Sequence, residues 1–287
     1  MLLKQIKENT NLLVDMILTD DIELLLAELD DDKGTIIWRN FIRRTRPYEV
    51  KFTKVLKGLF KAQEKEVISN MAKHPLKREC LGEGADSAIK LLLPVLEKQN
   101  WLSQWLFAEM MWRKRFSKEA KPFLGGVFET VGEAQLADLV IGIDFDVNNP
   151  RAQKWLGTRL EEYSKSVNGT TLDSIKRVLR EGVAAGESIP DLQKRVQKVF
   201  KGCSEYRAQM ISRTETIMAS NQGSLEAMRQ SGVVEKKSWL TAGDDRVRPE
   251  HKAMNGETVA LEKNFSNGLM VPGEPNCRCT ITAVLIE

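Results

Sequence analysis

Two stretches near the C-terminal end of the chain contain residue types that bind metals. Residues 243–256 include His251, and residues 272–279 end in a Cys-x-Cys pair formed by Cys277 and Cys279. Imidazole nitrogen and thiolate sulfur are ligands that zinc prefers, so these three side chains form a possible zinc set. The Cys-x-Cys spacing is tighter than the Cys-x2-Cys of most structural zinc loops. An ordinary reduced loop and a disulfide or redox pair therefore stay open as alternatives.

The same two stretches also favour an interpretation without a metal. Arg246, Arg248 and Arg278 each carry a planar guanidinium that can donate forked hydrogen bonds. Asp244, Asp245 and backbone carbonyls are the acceptors within reach, and either aspartate could also add a ligand to a zinc ion. We predict that such a network holds the two loops together.

A third group of polar residues lies on a long predicted helix. Arg213, Thr214 and Glu215 are consecutive, and Asn221 follows Thr214 by about two turns. We interpret them as a capping and salt-bridge cluster that ties the helix to a sheet. A catalytic role for Glu215 is the alternative, but one glutamate without a positioned partner specifies no reaction.

An enzyme built from these groups would be a metal-dependent nuclease. It would use four side chains: Glu215, Asp244, Asp245 and His251. Because no positioned acid–base pair is evident in the sequence, we predict that the chain is not an enzyme.

Helical patterns dominate the first half of the chain. Apolar residues recur at three- and four-residue spacing before residue 30, from Ile36 to a stop at Pro47, and from Phe52 towards Met71. A further helix, residues 101–116, carries Trp101, Trp105 and Trp112. We interpret these aromatic residues as helix core, with a partner-docking face as the alternative.

The second half begins with helices and ends with strands. We predict helices over 151–167, 170–183, 190–202 and 204–231, and strands over 233–240, 258–261 and 279–285. The helices around Gly186 read as an αα-hairpin rather than a DNA-reading helix-turn-helix, since no cluster of base-reading side chains starts the second helix. The fold class is α+β and predominantly helical, with a small antiparallel sheet. A glycine-rich stretch between Pro122 and Pro150 marks a joint between a helical domain, 1–149, and a second domain, 150–287.

Composition excludes several classes of protein. The 287 residues contain 43 Lys+Arg and 40 Asp+Glu, so the formal charge of +3 does not indicate a dedicated nucleic-acid protein. With 42% hydrophobic residues the chain can form a core, and disorder is not expected. No apolar run approaches the ~18 residues of a membrane helix. Four cysteines in a chain of this length are not a disulfide framework. These features predict a soluble intracellular protein.

The polar motifs occur in an order that resembles a known family. The shared positions, spread over the long helix and the two loops, are Arg213, Thr214, Glu215, Asn221, Trp239, Asp244, Asp245, Arg246, Arg248, His251, Gly256, Pro275, Cys277, Arg278 and Cys279. This string resembles the domain of tailed-phage head morphogenesis proteins, the family of phage Mu protein F and related minor head proteins. The resemblance covers about residues 150–287.

The resemblance implies a minor capsid protein that acts in head or procapsid assembly at or near the portal. Its implied partners are portal, capsid or scaffold proteins. The resemblance also implies possible non-specific contact with DNA and a possible role in DNA packaging or ejection. It implies no contact with a membrane. The implied location is the host cytoplasm during assembly and then the head interior of the virion. Some relatives carry a cysteine pair where this chain has Arg248 and His251. That pair would complete a four-cysteine zinc site with Cys277 and Cys279. Because Arg248 cannot serve as a ligand, this difference favours the hydrogen-bonded interpretation, and no cofactor is expected, with zinc as the alternative. A sequence-independent DNA-binding protein is the remaining alternative.

Overall fold

The computed structural model describes residues 33–73, 106–203 and 205–285. Six helices lie in these residues: α1 Lys33–Lys73, α2 Glu109–Leu139, α3 Pro150–Ala184, α4 Ile189–Cys203, α5 Tyr206–Ser231 and the short α6 Pro249–Ala253. Three strands complete the described fold: β1 Val234–Leu240, β2 Thr258–Ala260 and β3 Thr280–Leu285. The predicted fold class, mainly helical with a small antiparallel sheet, is confirmed. The helical run before residue 30, Trp101 and Trp105 lie outside the described residues.

Helix α1 passes through Pro47 without interruption, so the predicted stop at this residue is wrong. Proline removes one backbone hydrogen bond from a helix interior, at a cost of about 3 kcal/mol. Phe41 before the proline and Phe52 and Leu56 after it are buried in the same apolar cluster. One continuous helix presents all three to that cluster. Their burial, at roughly 1.5–3 kcal/mol per side chain, outweighs the loss.

Helix α3 likewise continues through Asn168 and Gly169, where the sequence predicted an end and a new cap. Asn168 is buried, and its side chain donates to the Ser164 carbonyl at 2.7 Å and accepts from Gln63 of α1 at 2.7 Å. Thr171, predicted as a possible cap, donates instead to the Val167 carbonyl one turn back. Because these polar groups are satisfied between and along helices, they do not terminate the helix.

Helix α5 is the centre of the described fold. It packs against α1, α2 and the sheet, and every residue from Ala219 to Met228 is buried. At Gly223 a Cβ atom would lie 2.3 Å from the carbonyl oxygen of Phe128 on α2, so only glycine allows this approach. The predicted helix is confirmed from Tyr206 to Ser231. Its predicted end at Gly232 is confirmed as well, since Gly232 adopts a φ of 66°.

The sheet places the two motif-bearing loops next to each other. Strand β1 lies in the middle and pairs antiparallel with both β2 and β3, giving the order β2-β1-β3. Leu240 at the end of β1 is opposite Thr280 at the start of β3. The loop that leaves β1 and the loop that enters β3 therefore meet at one end of the sheet.

The main apolar cluster extends across position 150. It combines Phe52 of α1, Phe116 of α2, Tyr163 of α3 and Ile217 of α5. The division into 1–149 and 150–287 stays a prediction about chain organisation.

Trp112 is completely buried, as expected of helix core. None of the helices in the described part of the chain is both long enough and apolar enough to span a bilayer.

Candidate functional site

The two loops at the end of the sheet are joined by arginine side chains. Arg278 donates to the carboxylate of Asp244 at 2.7 Å, and Arg246 donates to the same carboxylate at 3.3 Å. Arg248 donates to the carbonyl oxygen of Pro275 at 2.5 Å. These are the kinds of contact that the sequence predicted for the three arginines. They fix the loop after β1 against the loop before β3.

Asp244 is the acceptor at the centre of this network. Partial burial on its own would raise the pKa of its carboxyl group, but hydrogen bonds and charge from Arg278 and Arg246 lower the pKa below the usual value. Asp244 is therefore an ionised carboxylate that holds two guanidinium groups. Its neighbour Asp245 is exposed to solvent.

The motif residues at the start of α5 hold the second loop. Arg213 donates to Glu49 of α1 at 3.0 Å and to the side-chain oxygen of Asn276 at 3.2 Å. The Thr214 hydroxyl accepts from the backbone N–H of Asn276 at 2.9 Å. Asn276 adopts a positive φ of 61°, a conformation that asparagine tolerates better than most residues. Helix α5 thus holds the turn that precedes the Cys-x-Cys pair, and Glu49 of α1 holds the arginine that contacts this turn.

Asn221 fixes the strand that follows this pair. Its side-chain nitrogen donates to the carbonyl oxygens of Pro272 and Cys279, each at 3.0 Å. Its side-chain oxygen accepts from the Thr280 hydroxyl at 2.8 Å. Two of these bonds go to the loop before β3 and one goes to the first residue of β3, so Asn221 is a buried connection between α5 and β3.

Glu215 forms an ion pair with Arg159 of α3. Arg159 donates two parallel hydrogen bonds to its carboxylate, at 2.6 and 2.7 Å. Burial raises the pKa of Glu215, while the bonds and charge of Arg159 oppose that rise. This geometry is that of a buried ion pair between two helices.

His251, Cys277 and Cys279 converge in the interior beneath the loops. Nδ1 of His251 lies 3.7 Å from Sγ of Cys277 and 3.6 Å from Sγ of Cys279, and all three residues are buried. Nε2 of His251 contacts the carboxylate of Glu274. Trp239 packs edge-on against the imidazole ring at 5.2 Å between centroids. The Glu274 carboxylate and the Trp239 ring therefore fix the orientation of the imidazole ring.

This donor set has the chemistry and the spacing of a zinc site. Tetrahedral zinc, with bonds of about 2.0–2.3 Å to nitrogen and sulfur, separates its nitrogen and sulfur ligands by about 3.6 Å. A carboxylate on the second ring nitrogen is the usual orienting partner of a zinc-bound histidine. Within the described residues three such ligands come together, one short of the four in closed structural sites.

The two cysteines are free thiols of unequal acidity. A hydrogen bond from the Cys279 thiol lowers the pKa of Cys277 to about 6, against the opposing effect of burial. The bond to Cys277, together with burial, raises the pKa of Cys279. The hydrogen bond between the two cysteines thus favours ionisation of Cys277 over Cys279.

The acids of the alternative nuclease do not join this cluster. Among the residues that the structure describes, the one group of three or more close metal-ligating side chains consists of His251, Cys277 and Cys279. Glu215 and Asp244 are each bonded to arginine. The structure therefore does not assemble the four predicted nuclease residues.

Several partners of the motif residues were not singled out in the sequence. Glu49 and Arg159 are distant in sequence from the residues they bond, and no local pattern identifies them. Glu274 and Asn276 lie inside the Pro272–Cys279 stretch. The prolines and the glycine of this stretch indicate a turn, and that turn was the signal that could have identified these two residues.

Lys237 is a further buried residue that the sequence did not identify. It lies on β1, and its Nζ donates to the carbonyl oxygens of Leu261 and Lys263 at 2.5 and 2.7 Å. The same atom lies 5.4 Å from the centre of the Phe265 ring. Lys237 thus attaches the loop that follows β2 to the central strand.

Comparison with known proteins identifies a family that matches part of the chain. Residues 173–282, from within α3 to within β3, match the family described as Phage Mu protein F like protein. This segment contains all the motif residues from Arg213 to Cys279, so the resemblance stated from the sequence is confirmed. The chain carries a Mu F-like region.

Two curated proteins are similar to the chain. The minor head protein GP7 of Bacillus phage SPP1 is 26% identical, over 40% of this chain and 41% of that protein. The NAD(+)–arginine ADP-ribosyltransferase EFV of Enterococcus faecalis (strain ATCC 700802 / V583) is 27% identical, over 59% of this chain and 38% of that protein. The chain spans about two fifths of the length of these relatives. No solved structure matches it significantly.

Proposed function

We propose that the chain is a minor head protein of a tailed phage that acts in head assembly, without catalysing a reaction. The observation that carries this proposal is that the motif residues make structural contacts. Arg213, Thr214 and Asn221 are engaged in contacts between helices and loops. The Mu F-like region and the similarity to a phage minor head protein support the same role.

The partners that fit this role are other proteins of the phage head. The helical part of the chain before position 150 would dock on the portal or on the inner capsid surface, and the Mu F-like region would act inside the head. Met110 and Met111 at the start of α2 are exposed large apolar side chains of the kind enriched at interfaces. The final location would be the virion head.

Deletion of the gene from the phage genome tests this role. We expect particles that assemble abnormally or infect poorly, and we expect the wild-type gene to restore infectivity. Complementation with Arg213→Ala should fail, because this change removes the bonds to Glu49 and Asn276. Arg180→Ala, an exposed position in the same Mu F-like region, is the control that should restore it. Fully infectious deletion particles would contradict the proposal.

Purified protein with plasmid DNA separates this role from a nuclease. We expect no cleavage with magnesium, manganese or zinc. Cleavage that His251→Ala abolishes would instead establish a metal-dependent enzyme. Retention of DNA that falls steeply between low and physiological salt would indicate sequence-independent binding through phosphates.

We also propose that His251, Cys277 and Cys279 bind a zinc ion. Such an ion would cross-link the loop after β1 to the loop before β3 and stabilise the folded chain, because metal binding requires the folded arrangement of ligands. Glu274 would hold the imidazole ring in the orientation that presents Nδ1 to the metal. The support is the spacing of the three ligand atoms and the carboxylate behind the histidine.

Metal content and thermal unfolding of the purified protein test this proposal. We expect about one zinc per chain and a fall in melting temperature on chelation. His251→Ala should lose the metal, while Glu250→Ala, an exposed neighbour on α6, should keep it. Substoichiometric zinc, together with unchanged stability of His251→Ala, would overturn the zinc site.

A further inference from the structure

Strand β3 forms one edge of the sheet and borders a groove. Among the described residues β3 pairs with β1 alone, so its other side has no strand partner. A cavity of about 350 Å³ lies next to this strand. Four consecutive residues, Thr280 to Ala283, line the cavity, although successive side chains of a strand point to opposite faces of a sheet. The cavity therefore follows the edge of β3 rather than one face of the sheet.

Helices α1 and α2 form the opposite wall of this groove. Ile37 and Phe41 of α1 and Leu139 of α2 line it with apolar side chains. Arg44 and Asp138 are the two charged residues of the lining, and they pair with each other at 3.4 Å between the helices. The groove is therefore largely apolar and carries no net charge. Such a lining favours uncharged residues in a ligand.

The sequence of β3 contains none of the features that keep edge strands from pairing. Natural edge strands are often very short, charged or interrupted by proline. Strand β2, at the other edge of the sheet, has only three residues. Strand β3 has six, and all of them are uncharged and none is proline. Its Leu285, which lines the groove, is 53% exposed. This edge is therefore a template on which a further strand can pair.

The groove selects an extended segment rather than a second folded copy of the chain. Because α1 and α2 face the edge across the groove, β3 is recessed, and the equally recessed edge of another copy cannot reach it. Residues 1–32, which precede α1, do not have the required pattern. Their apolar residues recur at three- and four-residue spacing, whereas a strand with one buried face requires alternation. The occupant that fits is an extended segment of another protein with apolar side chains at alternate positions.

We propose that the groove beside β3 binds an extended, uncharged segment of another head protein as a fourth strand of the sheet. The backbone of the segment would exchange hydrogen bonds with β3, and its alternate side chains would pack against Ile37, Phe41 and Leu139. The source of the segment rests on the assembly role proposed above, whereas the binding itself does not. Peptide binding by the purified chain can fail while the deletion phenotype stands, so the two failures are distinguishable.

Binding of synthetic peptides to the full chain tests this groove. The probe is a short peptide of alternating threonine and valine, with a lysine at one end and a glutamate at the other for solubility. Two matched versions carry N-methyl groups on alternate amides, one on each set. A bound strand donates to β3 from one set only. We therefore expect one version to bind like the probe and the other to bind about tenfold or more weakly. Equal affinity of all three peptides would overturn the proposal.

Amide hydrogen exchange of the full chain, measured residue by residue, locates the bound probe. Without peptide, the amides of β3 that point away from β1 should exchange rapidly, and with the probe they should become protected. Protection of these amides in the free chain would contradict the proposal, because another part of the chain would then already cover the edge.

Lysine variants at the two edges of the sheet provide the matched comparison. Thr282→Lys places a charge on β3 beside the groove and should lower affinity for the probe by about tenfold or more. Thr258→Lys places the same charge at an exposed position of β2 and should bind like the wild type. Leu285→Lys repeats the test at a more exposed position of β3, where the fold depends less on the side chain. Wild-type affinity in both β3 variants, with unchanged melting temperatures, would exclude the groove as the binding site.

Discussion

Lys237 carries an ammonium group at a position with no solvent exposure. Its replacement by methionine keeps the length and the apolar stem but removes the donor to Leu261 and Lys263. Two carbonyl oxygens then lose their partner, and part of this cost is offset because a buried charge is also removed. We expect Lys237→Met to lower the free energy of unfolding at pH 7 by roughly 1–3 kcal/mol. Denaturant unfolding measures this change, and Lys236→Met, at the exposed neighbouring position, should be nearly neutral.

The same residue predicts a specific dependence of stability on pH. Burial, together with the charge of Arg229, lowers the pKa of Lys237 from its usual 10.5 to about 8. Between these pH values the unfolded chain binds more protons than the folded chain. The stability of the wild type should therefore rise with pH across this window, relative to Lys237→Met. A constant difference between the two proteins from pH 8 to 10.5 would show that the pKa is not lowered.

At the scale of single residues, the sequence identified one side of most contacts but not the other. The three arginines of the loops were predicted to bond to Asp244, Asp245 or backbone carbonyls. The structure shows bonds to Asp244 and to the Pro275 carbonyl. The partners of Arg213 and Glu215 lie on α1 and α3, far away in sequence. Pattern and spacing show which face of a helix carries polar residues. Their bonding partners depend on how whole helices pack against each other.

Helices α2 and α5 approach each other closely at Gly223, and this contact gives a prediction at the scale of elements. A methyl group at this position would lie 2.3 Å from the backbone carbonyl of Phe128, which cannot move without a shift of α2. We expect Gly223→Ala to lower the free energy of unfolding by roughly 1–3 kcal/mol, as overpacking does. Thermal and denaturant unfolding of the full chain measure the effect.

Gly157 of α3 provides the control for this substitution. It is exposed, and a Cβ atom built there meets nothing within 4 Å. Alanine in a helix interior is favoured over glycine by roughly 0.5–1 kcal/mol, so Gly157→Ala should stabilise the protein. If Gly223→Ala were equally stabilising, the close approach of α2 and α5 would be wrong.

Most element types were predictable from the sequence, whereas helix breaks were not. The glycine-rich stretch after Pro122, which was predicted to be a joint between domains, lies inside α2 as far as Leu139. The three strands and the end of α5 at Gly232 agree with the pattern, because alternation and a glycine cap act locally. Pro47 and Asn168 are also local signals, but in this fold they lie inside helices. Their environments explain the difference. Pro47 lies between residues that share one core, and Asn168 bonds across to Gln63.

For the whole molecule, the shared core predicts that the two halves do not fold separately. The apolar cluster of Phe52, Phe116, Tyr163 and Ile217 draws on four helices, two from each side of position 150. Polar contacts also cross this position. The Ser212 hydroxyl donates to the Glu49 carbonyl at 2.7 Å, and the Trp38 indole donates to the Arg278 carbonyl at 2.9 Å.

We therefore expect residues 150–287, expressed alone, to lack a cooperative unfolding transition, because the faces of α3 and α5 that α1 and α2 cover would be exposed to water. The full chain should instead lose its far- and near-ultraviolet circular dichroism in one coincident transition. Co-expression with residues 1–149 should restore that transition and allow the two fragments to be purified together. If residues 150–287 unfolded cooperatively at the melting temperature of the full chain, the second half would be an independent domain, and the core across position 150 would contribute little to its stability.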